Sequence, residues 1–212
     1  MKVLSLLLLL CAAAAGQSTD LKAVTDTVDR HYNHLTSLKA DFVETYSGNG
    51  ISRQESGTLL LRKPGKMLWN YTSPQAKVFV TDGKTAWFYV PGEQQARKAP
   101  LKKLDDLRSP LRYLLGSTKL LKEFNGLRQV ASNDQGVVLA GVPKGMEDRV
   151  TDVALTVKGD TIVAIRIEQT DGSTTEFKFN NIETDVPVSE AKFKPQVPAG
   201  VQWIDSEDLS PQ

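Results

Sequence analysis

The stretch from Gly57 to Gly92, GTLLLRKPGKMLWNYTSPQAKVFVTDGKTAWFYVPG, constrains the fold more than any other part of the chain. Apolar residues recur there with the period of two that belongs to a β-strand. Pro64-Gly65, Asp82-Gly83 and Pro91-Gly92 interrupt the runs. Such pairs supply the fixed φ of proline and the positive φ of glycine that tight turns require. The segment therefore reads as four short strands. Met67, Trp69 and Tyr71 share one face of their strand, with Leu68 and Asn70 on the other. Trp87 and Tyr89 likewise oppose Ala86, Phe88 and Val90. Several strands are apolar on both faces, which predicts a sheet with apolar material to cover on one side.

The two ends of the chain ask for different treatment. Lys2, the apolar run Val3 to Leu10 and the small residues Ala12 to Gly16 form a secretory signal, expected to be cleaved near residue 16. The run is too short to span a bilayer. Leu10 stands before Cys11, where a lipoprotein signal requires a small residue, so lipidation at Cys11 is not expected. Residues 17–212 then form a single domain without cysteine, in a compartment where disulfides are permitted. A chain of this length buries enough apolar surface to fold without them. Loss of Lys2 takes the formal charge from +1 to 0. Neither a nucleic-acid partner nor electrostatic attraction to an anionic membrane is expected of such a balance.

Residues 19–38 read as an amphipathic helix, capped by Ser18, Thr19 or Asp20. Leu21, Val24, Val28, Tyr32 and Leu35 lie along one stripe. Strands follow at 40–47 and 52–63, the second carrying Leu59 and Leu61. After the aromatic block, Ser109-Pro110 opens a short helix with Leu111, Leu114 and Leu115 on one face, stopped by Gly116. Ser117 opens another, with Leu120, Leu121 and Phe124 inward. Helices this short need tertiary packing, which suits them to be moving parts. Beyond Leu127 the strands resume. Val153, Leu155 and Val157 alternate with Ala154 and Thr156, and Val163, Ile165 and Ile167 with Ala164, Arg166 and Glu168. Phe177 and Phe179 alternate with Glu176 and Lys178. Close spacing implies an antiparallel meander. The expected architecture is one curved antiparallel sheet of about ten to eleven strands, with three helices across its concave face.

Groups that do chemistry are scarce. His31 and His34 are the only histidines, at i and i+3 on the first helix; zinc catalysis needs three protein ligands, and a solvated helix face explains the pair. A GxSxG motif is absent, and the acid pairs Asp105-Asp106, Glu147-Asp148 and Glu207-Asp208 lie in polar surroundings. Neither an enzyme nor a cofactor is expected. Asn70-Tyr71-Thr72 fits a glycosylation acceptor pattern and is treated as incidental.

Several segments together resemble the outer-membrane lipoprotein carrier family, LolA. They are the first helix with Leu38-Lys39-Ala40-Asp41-Phe42, the GTLLLRKPGKMLWNY block, and VTDGKTAWFYVPGEQQ. Ser109-Pro110-Leu111 with Leu114-Leu115-Gly116 adds to them, as does the tail with Phe193 and Pro198-Ala199-Gly200-Val201. The resemblance implies an unclosed β-barrel under a helical lid that shields acyl chains in the periplasm. Such a monomeric carrier takes acylated lipoproteins from an inner-membrane ABC transporter to an outer-membrane receptor. The expected lining is Leu59, Leu61, Met67, Trp69, Tyr71, Trp87 and Tyr89 from the first strands. Val153, Leu155, Val163, Ile165, Ile167, Phe177 and Phe179 complete it from the last. Leu111, Leu114 and Leu115 form the expected lid. Lys63 stands where the family favours an arginine that holds the lid closed, and lysine offers a point charge in place of a planar fork. A lipid- or lipoprotein-sensing module on the same fold is the alternative.

Overall fold

The computed structural model describes residues 20–101, 113–114, 119–206 and 209. Asp20 accepts a hydrogen bond from the Lys22 backbone N–H at 2.9 Å and so starts helix α1, Leu21–His34. The helix stops at Leu35, short of the expected Leu38, because Ser37 already pairs as the first residue of β1 (Ser37–Gly48). An antiparallel meander continues through β2 (Ile51–Arg62), β3 (Lys66–Ser73), β4 (Lys77–Asp82), β5 (Thr85–Tyr89) and β6 (Gln95–Pro100). A single-turn helix, α2 (Leu120–Glu123), leads into a second meander. It consists of β7 (Phe124–Asn133), β8 (Gly136–Pro143), β9 (Val150–Lys158), β10 (Thr161–Gln169) and β11 (Thr174–Thr184). A last strand, β12 (Gln202–Asp205), closes the series.

The two meanders meet where β1 pairs with β11, which sets Phe42 opposite Phe179 and Glu44 opposite Phe177. The spatial order is β12-β6-β5-β4-β3-β2-β1-β11-β10-β9-β8-β7, so β12 and β7 end the sheet and the barrel stays unclosed. Three expectations need correction. Among the described residues the sheet has twelve strands, and β12 runs parallel to β6, so the sheet is not purely antiparallel. Two α-helices are present among the described residues; the expected helix at 109–116 lies outside them except for Tyr113 and Leu114. Of the helix expected to open at Ser117, the described residues form one turn, Leu120–Glu123, because Phe124 pairs with Pro143 and begins a strand. Leu121 accordingly points outward, 42% exposed, while Leu120 and Phe124 are buried.

One apolar cluster fills the concave side. It joins Val28, Tyr32 and Leu35 of α1 to residues from both meanders, and to Tyr113, Leu114, Leu120 and Leu209. The convex side carries a smaller packed region. After β11 the chain forms a 3-10 turn, Glu190–Phe193, that packs on β3 and β4. Phe193 is buried there, outside the concave cluster. Glu190 ties the turn to Lys66 and, at 3.0 Å, to Arg62. The tail thus crosses to β6, where β12 docks.

Candidate functional site

The concave face is built by pleat and register. Residues directly opposite in paired strands share a face, so Leu59 with Trp69, and Trp69 with Phe79, extend one apolar row across β2, β3 and β4. Phe42 anchors the aromatic centre. Its ring lies 4.9 Å from Trp69 and 4.8 Å from Tyr71, both edge-on. Trp69 in turn meets Phe177 at 5.6 Å and Phe179 at 6.5 Å. Edge-to-face contacts of this kind add about 0.5–1.5 kcal/mol each beyond area burial. Gly57 stands opposite both Phe42 and Tyr71, and a Cβ there would lie 2.0 Å from the Asn70 carbonyl oxygen. Only glycine allows the strands that approach.

Most of the expected lining residues lie in this cluster. Leu59, Leu61, Met67, Trp69, Tyr71, Val153, Leu155, Ile165, Phe177 and Phe179 are buried in it, and Ile167 packs at its edge. Trp87, Tyr89 and Val163 are placed elsewhere. Ala86 and Phe88 belong to the cluster, so the alternate residues Trp87 and Tyr89 face the convex side, where Trp87 stands opposite Val80. Val163 sits at a register shift between Ile162 and Ala164, which turns both Ile162 and Ile165 inward. Ile162 thereby takes the place expected of Val163. Of the lid residues, Leu114 is buried in the cluster, and Leu111 and Leu115 lie outside the described residues.

Helix α1 bridges the two meanders by polar ties. Lys63, in the β2–β3 turn, donates from Nζ to the Tyr32 carbonyl in the last turn of α1. It therefore holds α1, and burial lowers the Lys63 pKa against the opposing pull of Asp185. On the other side the Ile162 N–H donates to the Tyr32 hydroxyl at 3.0 Å. Asp29 accepts from the Leu120 N–H at 3.1 Å, linking α1 to α2. His31 does not lie on a solvated face: its side chain is 18% exposed and its Nδ1 is 3.1 Å from Asp160. With Arg30, His34 and Asp185 it borders a cleft of about 370 Å³ outside the concave cluster. No group of three or more His, Cys, Asp or Glu side chains among the described residues is placed to hold a metal ion.

One feature of this face escaped the sequence reading. Glu44, Glu55 and Lys77 are buried on the concave side, toward the β1–β2 hairpin. The Tyr71 hydroxyl donates to Glu44 at 2.7 Å, and Lys77 donates to Glu55 at 2.8 Å while lying 4.3 Å from the Tyr71 ring centre. Burial raises the Glu44 pKa, with the Tyr71 bond and Lys77 opposing it; burial and the neighbouring Glu44 raise that of Tyr71. The available signal was phase: Glu44 shares its face with Leu38, Ala40 and Phe42.

An unclosed sheet wrapped around aromatic and aliphatic side chains, with a helix tied across it, belongs to the class of apolar-ligand containers. The family model described as outer membrane lipoprotein carrier protein LolA matches residues 33–196, and the chain belongs to that family. It is 27% identical over 209 residues to the outer-membrane lipoprotein carrier protein of Chromobacterium violaceum, covering 98% of this chain and 100% of that one. It is 28% identical over 212 residues to the corresponding protein of Methylococcus capsulatus, covering 97% and 98%. In structure it is similar to an uncharacterized conserved protein from Thermus thermophilus. The TM-score is 0.55 at 12% identity, over 89% of this chain and 100% of that one, a likeness of fold alone.

Proposed function

We propose that the protein is a periplasmic carrier that shields the acyl chains of lipoproteins between two membranes, without a catalytic step. The supporting observation is the continuous apolar cluster that joins both meanders beneath α1. Each methylene removed from water contributes about 0.8 kcal/mol, so one long acyl chain left exposed costs on the order of ten. A lipoprotein cannot cross an aqueous space at that cost, and a covered concave face removes it. Release requires that the empty state also be stable, because a ligand shifts the open–closed balance only by its differential affinity. Packing of Tyr32, Leu35 and Leu114 against the floor provides such an empty closed state. In this reading cleavage near residue 16 frees one domain, which acts as a monomer. It loads at an inner-membrane ABC transporter and unloads at an outer-membrane receptor.

The test uses mature protein with Trp87 and Trp203 replaced by phenylalanine, which leaves Trp69 as the only indole. Inner-membrane vesicles carrying the transporter and an acylated lipoprotein should release a soluble complex, and Trp69 emission should shift as the chains enter. The unacylated form should give neither. Equal binding of both forms would sink the carrier reading.

A further inference from the structure

The concave face is not apolar throughout. Down β1 the inward residues run Leu38, Ala40, Phe42, Glu44, and the change from aromatic to carboxylate takes a single pleat. Opposite Glu44 stands Glu55, and opposite Tyr71 stands Lys77. Glu44 is 4% exposed and Lys77 7%. Arg53, two residues before Glu55 and on the same face, continues the group outward. Its guanidinium lies 5.0 Å from the Tyr46 ring centre, and its side chain is 39% exposed. Its Nε–H is buried and 3.8 Å from Glu55, without a hydrogen-bond partner among the described residues.

Stability alone is a poor reason for this arrangement. Buried ion pairs are commonly matched or bettered by apolar residues of the same volume, and the next inward residues toward the floor, Phe42, Gly57, Trp69 and Phe79, are all uncharged and carry no polar side-chain oxygen. The group also has a direction. It begins against the rings of Phe42 and Tyr71 and ends at the half-exposed Arg53, so it forms a boundary between the apolar floor and water. Amphiphiles have the same boundary, at the carbonyl groups where acyl chains join their head group.

The geometry points to a polar subsite formed by Tyr71, Glu44, Lys77, Glu55 and Arg53 that takes the ester carbonyls of an acylated ligand and so fixes how deeply its chains enter. The inference rests on the carrier reading and deepens it. Lys77 and Arg53 supply charged donors to the carbonyl oxygens. Glu55 and Glu44 keep those donors oriented, and the Tyr71 ring separates them from the chains. Charge-assisted bonds in a dry setting are the stronger kind, so the subsite favours an ester over an ether of equal chain length.

The experiment compares two synthetic peptides with identical chains on an N-terminal cysteine, one a diacylglyceryl ester and the other its dialkyl ether. The wild-type protein should bind the ester about tenfold more tightly, the equivalent of one such hydrogen bond. In E55Q/K77M, which removes both charges of the pair together, the preference should fall to within about twofold. R53M, at a half-exposed position, should show the same loss and carries the test if the double variant does not fold. A preference that survives in R53M, or a wild-type protein that treats both peptides alike, overturns the subsite and leaves the carrier reading intact. Failure to bind either peptide overturns both. Competition by dipalmitoylphosphatidylglycerol that depends on Arg53 supports the subsite with a glycerophospholipid as the ester source. Its absence supports the subsite with acylated cysteine as that source.

Discussion

The two meanders face the same apolar space with different chemistry. The first, β1 to β5, presents Phe42, Trp69, Tyr71, Phe79 and Phe88, and ends in buried charge. The second presents Leu139, Val153, Leu155, Val157, Ile162 and Ile165 from β8, β9 and β10, while Phe177 and Phe179 of β11, the strand next to β1, join the aromatic group of the first. Aromatic pairs favour particular ring geometries, so Phe42, Trp69 and Phe177 hold one another in place. Aliphatic contacts are individually weak and depend little on direction. One wall therefore fixes positions, and the other supplies volume that can yield. A container that must accept and surrender chains needs both.

The largest test of this contrast is a charge in the aliphatic wall. Leu155 is fully buried between Ile165 and Leu139, its partners in β10 and β8. A glutamate there would be an uncompensated buried charge, costing about 3–5 kcal/mol. For a domain of this size that is a fall of about 10 °C or more in Tm. Leu155→Glu should also abolish uptake of an acylated lipoprotein in a vesicle-release assay. Melting within two or three degrees of wild type, read by circular dichroism, would show that this wall is wet and erase the contrast.

Much of this was legible in the strands and their turns. Asp82-Gly83 makes the expected hairpin, with Gly83 at φ 91°, and Met67, Trp69 and Tyr71 share a face as their spacing requires. Alternation states which residues share a face but not which face is concave. On β5 both faces are apolar, so alternation alone places Trp87 and Tyr89 inward as readily as outward, whereas the tail that packs on β3 and β4 and pairs with β6 comes from a distant part of the sequence. The shift at Val163 inverts the phase by one residue, and nothing in TIVAIRIEQ marks it. The β7 start at Phe124 reads as helix in the sequence because Leu120, Leu121 and Phe124 fit an i, i+1, i+4 pattern over too few residues to distinguish the periods. Glu44 was in phase with the apolar face from the outset, and a carboxylate there is information only once its partners Tyr71 and Lys77 are known.

A smaller effect sharpens the contrast at the helix that joins the walls. Tyr32 ties α1 to β10 through a buried hydroxyl, and Lys63 ties it to the β2–β3 turn. Tyr32→Phe leaves the Ile162 N–H without its acceptor and should cost about 1–3 kcal/mol. Lys63→Met removes a partly solvated contact and should cost about 1 kcal/mol or less. Hydrogen exchange should show amides near Ile162 opening first in Tyr32→Phe, and those in the last turn of α1 in Lys63→Met. Identical exchange patterns in the two variants would mean that α1 is held by packing alone, and the walls would then not differ in how they grip it.

The smallest effect concerns the charge that only the aromatic wall carries. Burial raises the Glu44 carboxyl pKa above its ordinary value, more than Tyr71 and Lys77 lower it. Between the unfolded and folded values the native state keeps a proton that the unfolded chain has released. Stability therefore falls as pH rises through that window, and the loss is complete above the folded value. Glu44→Gln retains an acceptor for the Tyr71 hydroxyl and removes the titration. The difference in Tm between variant and wild type should grow with pH from about 4.3, the ordinary glutamate value, and then level off in favour of the variant. A difference that stays constant across the range would mean that Glu44 ionises as freely in the folded protein as in water. The aromatic wall would then be as open to solvent at this end as its charges are to each other, and what separates the two walls would reduce to the shape of their side chains.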